Sequence, residues 1–314
     1  MAKKKYSISI VIPCYRSENT ISDVVESAVK TLNQREGKYD IVLVNDYSPD
    51  NVWNQIVKLS KKYPDIVKGL SFSSNYGQHA ALLAGSKETK GDIVVFMDDD
   101  GQTDPADLWK LVDKLNEGYD TVCAKYPELK ESPFRRFGSW LNDKMSNWLL
   151  GKPKNLKGSS YVAIRRFVID EMIKYDKSYP YIGGLVYRVT KNCGSVEIEH
   201  HDRKEGTSGY TLGKLINLIL NGFTAFSIKP LRVSSFIGIL FSAFGFIYGI
   251  LIVIRKIINP SIQAGYSSMV AILLFSSGII MLMLGLIGEY VGRIYICMNN
   301  SPQYVVKEKT NFRK

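Results

Sequence analysis

Cysteine and histidine are scarce in this sequence, and their scarcity narrows the chemistry. Among 314 residues there are 4 cysteines and 3 histidines. Cys14, Cys123, Cys193 and Cys297 are far apart and show no paired spacing, which argues against a zinc site or a disulfide framework and fits a reducing compartment. His200 and His201 are neighbours near an expected strand end, a setting more often structural than metal-binding. His79, next to Asn75-Tyr76-Gly77, reads as a packing residue at a helix start. No internal repeat or low-complexity stretch occurs. Met-Ala-Lys-Lys-Lys-Tyr leads straight into a strand and lacks the apolar core of a signal peptide. Negative charge is also short: 30 Asp+Glu against 41 Lys+Arg leave a formal net charge of +11. Such a surplus suits a phosphorylated substrate, an acidic membrane face or nucleic acid. Nucleic acid is not expected, because the aromatic residues gather in apolar segments rather than among basic strands.

Two stretches lack charge altogether. Val233 to Ile254 has none, and after Arg255 and Lys256 the run from Ile257 to Gly288 has none either. Val233–Ile254 and about Ser267–Gly288 each match the roughly 20 apolar residues that span a bilayer. Two crossings would return the chain to the side on which it began. The Lys-rich start and the tail residues Arg293, Lys307, Lys309, Arg313 and Lys314 would then face the cytoplasm. The expected organisation is a domain over 1–230, a transmembrane hairpin over 231–290 and a basic cytoplasmic tail over 291–314.

Before residue 126 the pattern alternates strand and helix. Strands are expected at Ser7–Pro13, Asp40–Asn45, Val67–Phe72, Ile93–Met97 and Thr121–Ala124. Helices are expected at about 21–32, Val52–Tyr63, Gln78–Glu88 and from Pro105, capped by Asp104, to Glu117. This spacing predicts an α/β fold with a mostly parallel sheet and helices on both sides. Beyond Tyr126, about 134–150 mixes Arg135 and Arg136 with Phe137, Trp140 and Trp148, and reads as an interfacial amphipathic helix. A second is expected at about 212–226.

The apolar run Ile93–Met97 ends in Asp98, Asp99 and Asp100, then Gly101 and Gln102. Three adjacent carboxylates repel one another unless a cation is shared, and hard divalent ions prefer oxygen ligands. In open α/β sheets such a strand end is where ligands bind. Three other loops should meet it there: Pro13 to Glu18, Asn45 to Asp50, and Ser74 to Gln78. Asp and Asn pair with base edges, Tyr stacks on a base, and a metal bridges two phosphates. Together these loops suit a nucleotide, although each alone is an ordinary turn.

On these residues the chain resembles family-2 glycosyltransferases of the GT-A fold. It is most similar to the membrane-anchored polyprenyl-phosphate glycosyltransferases, such as dolichyl-phosphate mannose synthase and the bacterial bactoprenol glucosyl and aminoarabinose transferases. The resemblance covers essentially the whole chain. The family's Asp-x-Asp-x-Gln falls on Asp98, Asp100 and Gln102, which implies coordination of Mg²⁺ or Mn²⁺ on a nucleoside diphosphate sugar; Gly101 stands where Leu is usual. Pro13, Tyr15 and Glu18 match the nucleotide-binding opening, and Asp46 matches the acidic residue that pairs with the base. Asn45 stands beside it in place of a frequent Asp, and Asn75 and Gly77 join the same nucleotide set. The late loop His200 to Lys214 is similar to the family's Arg-x-x-Gly-x-Ser segment. There Arg203, Lys204 and Ser208 can hold phosphate oxygens, as Arg135 and Arg136 can for the lipid phosphate. Lys157, Ser159, Ser160 and Arg165 are further acceptor candidates.

The resemblance thus implies inverting transfer of one sugar, from a UDP-sugar by preference, to polyprenyl (undecaprenyl) phosphate. The enzyme is expected to be multi-pass in the inner membrane, with its catalytic domain in the cytoplasm. Asp98, Asp99, Asp100 and Arg203 are the expected catalytic residues. Relatives often assemble through their membrane helices, so a homo-oligomer belongs among the partners to test. Two alternatives stand beside this expectation. A processive polysaccharide synthase of the same fold would normally carry a Gln-x-x-Arg-Trp motif, which does not occur here. A catalytically silent sugar-nucleotide-binding or flippase-assisting membrane protein would have no need of an intact Asp98/Asp100/Gln102 set.

Overall fold

The computed structural model describes residues 6–126, 144, 147–148, 151–153, 156, 159–198, 229–259, 265–299 and 301–312. The chain forms two units, Met1–Ile219 with Ser301–Lys314, and Leu220–Asn300.

In the first unit, the apolar runs become strands because they are buried from both sides. β1 (Ile8–Cys14) is buried along its whole length. It pairs in parallel with β2 (Tyr39–Asn45) on one side and β4 (Ile93–Phe96) on the other. β2 continues in parallel to β3 (Val67–Phe72). Helices α1 (Ile21–Leu32), α2 (Val52–Lys62), α3 (Gln78–Lys87) and α4 (Leu108–Leu115) follow these strands in turn. The α1 stripe of Ile21, Val24, Val25, Ala28, Val29 and Leu32 is buried, and it joins a core with Ile8, Ile10 and Ile12. A 3₁₀ turn, Pro105–Asp107, precedes α4, and the Asp104 side chain caps it by accepting from the Ala106 N–H. The helix expected to reach Glu117 ends at Leu115, where the chain turns toward Gly118 at φ +113°.

β5 (Thr121–Lys125) and β6 (Val162–Arg165) extend the sheet beyond β4, and β6 runs antiparallel to both neighbours. After helices α5 (Arg166–Met172) and α6 (Ile182–Val189) comes β7 (Cys193–Glu197), parallel to β5. The opposite edge is closed by β8 (Val306–Thr310), antiparallel to β3. Among the described residues these strands form one eight-stranded sheet in the order β7-β5-β6-β4-β1-β2-β3-β8. The winding reverses between β1 and β4, which places a ligand crevice at their carboxyl ends.

The second unit holds α7 (Lys229–Ile258) and α8 (Tyr266–Met298). Leu231–Ile252 and Phe275–Met298 are long and apolar enough to cross a membrane, and neither stretch is buried within the protein. A soluble core helix would be covered, so these are candidate spans. α8 continues through Glu289, past the charge-free run that ends at Gly288, because helix geometry is not interrupted by a single carboxylate. The expected helix over 212–226 lies outside the described residues, and that over 134–150 is described only at Lys144, Asn147 and Trp148, which are helical.

α3 lies against the sheet by virtue of Gly85. A Cβ there would sit 2.4 Å from Val11 Cγ1 and 3.1 Å from Val44 Cγ2. Gly85→Ala should therefore force β1 and α3 apart and destabilise by about 1–3 kcal/mol, read as a lower midpoint in thermal unfolding of the detergent-solubilised protein.

Candidate active site

The first three loops at the carboxyl edge are each held by a carboxylate from a neighbouring loop. After β1, the Arg16 N–H donates to Ser48 Oγ at 2.7 Å and the Glu18 N–H to Asp50 Oδ2 at 2.9 Å. In return the Asn51 N–H donates to Glu18 Oε2 at 3.0 Å. Glu18 thereby ties the first two loops together. Asn45, at the end of β2, accepts from the Ser48 N–H and donates to Ser71 Oγ, both at 3.0 Å. Asp46 is buried. Its two oxygens accept the N–H groups of Tyr76 and Gly77 at 2.7 and 2.8 Å, while Asn75 Nδ2 donates to the Asp46 carbonyl at 3.0 Å. Gly77 has φ +87°, which favours glycine at this turn into α3. Burial raises the pKa of the Asp46 carboxyl, against the lowering effect of those two N–H donors.

Asp98 to Gln102 completes the edge. Asp99 Oδ2 accepts the Tyr15 N–H at 2.9 Å, and its carbonyl accepts Thr20 Oγ1 at 2.6 Å. Desolvation pushes the Asp99 carboxyl up to about 6, opposed by the Tyr15 N–H and reinforced by the charge of Asp98. Asp98 accepts from Gln78 Nε2 at 2.9 Å and from the Ser160 hydroxyl. Asp100 Oδ1 accepts the Gln102 N–H at 3.0 Å around Gly101, whose φ is +72°. Tyr126 stands close enough for Asp98 and Asp100 to raise its phenol pKa, although burial is the larger cause. Tyr15 is 44% exposed, with the Arg16 guanidinium 5.5 Å from its ring centroid, and an aromatic ring so placed can stack on a planar group.

The structure therefore brings Pro13, Tyr15, Glu18, Asn45, Asp46, Asn75, Gly77, Asp98, Asp99, Asp100 and Gln102 to one edge. Arg135, Arg136, Lys157, His200, His201, Arg203, Lys204 and Ser208 lie outside the described residues. Arg165 donates to the carbonyls of Tyr119 and Leu115, both at 2.9 Å, and so holds the α4–β5 turn. Thr20 and Tyr126 were not expected at this edge. Their contacts join positions far apart in the chain, and no local pattern marks them.

Among the described residues no group of three or more His, Cys, Asp or Glu could hold a metal ion. The oxygen donors carried by the turn after β4 are the carboxylates of Asp98 and Asp100 and the side-chain amide of Gln102. Mg²⁺-type ions commonly take one or two carboxylates and complete their shell with water and substrate phosphates. A carboxylate oxygen that accepts one hydrogen bond keeps a second lone pair. The residues thus fit a divalent ion completed by a diphosphate, not a closed protein cage.

A mostly parallel sheet with a carboxylate-rich edge and an Asp-x-Asp turn is the pattern of a GT-A glycosyltransferase. Comparison with known proteins agrees. Residues 9–173 match the model of glycosyl transferase family 2, and residues 229–294 match that of the GtrB C-terminal hairpin. The chain belongs to glycosyl transferase family 2, and it is an enzyme of that class. The undecaprenyl-phosphate 4-deoxy-4-formamido-L-arabinose transferase of Proteus mirabilis is 31% identical across 99% of this chain and 96% of its own. The protein of the same name from Shewanella sediminis is 31% identical over 96% of this chain and 92% of its own. Among solved structures, glucosyl-3-phosphoglycerate synthase from Mycobacterium tuberculosis, in complex with Mn²⁺, UDP and glucosyl-3-phosphoglycerate, is similar in fold. Its TM-score is 0.52 at 18% identity, over 70% of this chain and 80% of that one.

His79, in the first turn of α3, meets Tyr181 edge-on at 5.0 Å. Burial lowers its pKa to about 4. The folded protein thus keeps His79 neutral while the unfolded chain takes up a proton below its ordinary pKa near 6.5, so stability falls as pH drops from about 6.5 to about 4. His79→Gln should remove that share. Its melting temperature relative to wild type should rise steadily between pH 7 and pH 4.5 in metal-free buffer.

Proposed function

We propose that this protein transfers one sugar, with inversion, from a nucleoside diphosphate sugar to polyprenyl phosphate at the cytoplasmic face of a membrane. UDP-sugars are favoured as donors. The observation that carries this proposal is the similarity to undecaprenyl-phosphate sugar transferases along nearly the whole chain, hairpin included. The Asp98/Asp100/Gln102 edge is the matching chemistry within it.

In this proposal the exposed Tyr15 ring and the Asp46-held loop receive the nucleotide. Asp98, Asp100 and Gln102 would hold Mg²⁺ or Mn²⁺, and a divalent ion there neutralises charge that builds on the departing diphosphate. Arg203 and Lys204 add positive charge to the same oxygens, and Ser208 donates to them. Arg135 and Arg136 receive the acceptor phosphate, whose negative charge makes it a nucleophile without a strong base. Asp99, engaged by Tyr15 and Thr20, keeps the first and fourth loops in register rather than taking a proton from the acceptor. α7 and α8 cross the bilayer twice and retain the catalytic unit where the lipid phosphate lies, which raises its effective concentration.

The test uses purified protein in detergent with undecaprenyl phosphate, Mn²⁺ or Mg²⁺, and a panel of radiolabelled sugar nucleotides. Label should enter the organic phase from one donor and be lost on adding EDTA. Asp100→Ala should lower the rate by about a hundredfold or more. Donor binding with no lipid product from any member would refute the transferase and favour a silent sugar-nucleotide-binding protein.

A further inference from the structure

Beyond α8 the chain returns to the first unit, and covering the edge of β3 is only part of what it does there. The β8 ladder alone would close that edge. The residues just before β8 run on past the carboxyl end of β3, where the Val305 carbonyl accepts the Ser73 N–H at 3.0 Å. The Tyr304 ring lies nearly parallel on Phe72, with centroids 5.1 Å apart and planes at 17°. Tyr76 meets Phe72 edge-on, at 5.6 Å and 90°. Tyr76 and Gly77 are the residues whose N–H groups the Asp46 carboxylate holds. Three rings in series therefore link the C-terminal segment to the nucleotide loop.

Tyr304 is itself fixed. Lys87 Nζ stands 5.1 Å from its ring centroid, and the neighbouring Gln303 amide donates to the carbonyls of Tyr175 and Lys177 at 3.3 and 2.8 Å. Within the loop, the Tyr76 hydroxyl also lies 3.4 Å from Ser73 Oγ. A Cβ built on Gly77 would meet no atom within 4 Å. Among the described residues, the Asp46 hydrogen bonds, the Ser73 contact and the ring that Tyr76 rests against hold the loop's conformation.

We propose that Tyr304 is a positioning residue for donor binding: stacked on Phe72, it holds Tyr76, and through it the Asp46-Asn75-Gly77 loop, in the shape that receives a nucleotide. This rests on reading the edge as the sugar-nucleotide site. The proposal gives the segment after the second apolar helix a part in the reaction beyond closing the sheet.

The experiment titrates Mn²⁺ with UDP, and separately with GDP, into full-length protein in detergent by calorimetry. Tyr304→Ala should weaken nucleotide binding about three- to tenfold, the loss expected for one aromatic pair. The donor KM should rise in step while kcat stays within about twofold. Tyr304→Phe should restore both. Asn311→Ala removes donors to the Pro64 and Val67 carbonyls, at 2.5 and 2.6 Å, at the far end of β8. It should lower the melting temperature and leave nucleotide binding at the wild-type value. If Tyr304→Ala does not fold, Tyr304→Leu, which keeps apolar bulk without the flat ring, is read in the same way. Wild-type affinity in the Tyr304 variant, or equal losses of affinity in the Tyr304 and Asn311 variants, overturns the proposal. A wild-type protein that takes up neither UDP nor GDP defeats the donor-site reading itself, and the proposal with it. The wild-type titration alone reveals that case.

Discussion

Strand β1 has a neighbour on each side, and both ladders are parallel. Parallel strands end together, so the turns after β1, β2 and β4 leave the sheet at one edge with backbone N–H groups that no ladder can satisfy. Donors of that kind need partners, from water or from the protein. Here the partners are carboxylates and hydroxyls from the adjacent turn: Asp99 for Tyr15, Ser48 for Arg16, Asp50 for Glu18, and Asp46 for Tyr76 and Gly77. The acidic character of the edge is thus a structural requirement before it is a chemical one. Removing any of these groups would strand an N–H in a neighbouring loop.

The same arrangement divides the acidic residues by task. Asp46, Asp50 and Asp99 face backbone, and their oxygens bind loop to loop. Asp98 and Asp100 accept from Gln78, Ser160 and the local turn, all of them neutral donors. Local negative charge on a positively charged protein is where a divalent cation and an anionic diphosphate can both be accommodated. The net charge of +11 favours the approach of anionic substrates, and the turn after β4 is a local region of opposite sign where a cation would be drawn.

Much of this was legible in the sequence. β1, β2 and β4 read clearly because each carries a continuous apolar run, and α1 because its six apolar positions fall on one stripe. The carboxylate turn read clearly because three Asp follow such a run directly. The antiparallel β6 did not, since Val162–Arg165 is four residues long, half-exposed at both ends and followed at once by a helix. β8 was illegible for a different reason. Val-Lys-Glu-Lys-Thr has the charged composition that edge strands use to discourage further pairing, and such composition also reads as a tail. Within the site, residue identities were visible but partners were not. Glu18 binds Asn51, Asp46 binds Tyr76, and Arg165 turns to the carbonyls of Tyr119 and Leu115. Each of these contacts depends on which strands lie side by side, which local periodicity does not encode.

The position of β8 also sets an order of events during synthesis. β3 is made before the two apolar helices, yet the strand that covers its outer edge follows both of them. Until that strand is made, β3 presents an unpaired ladder to its surroundings, and unpaired edges are the usual start of misassembly. The catalytic sheet is therefore completed only after the hairpin has been synthesised. A chain cut short before the hairpin would carry every residue of the Asp-x-Asp turn and still lack its final strand.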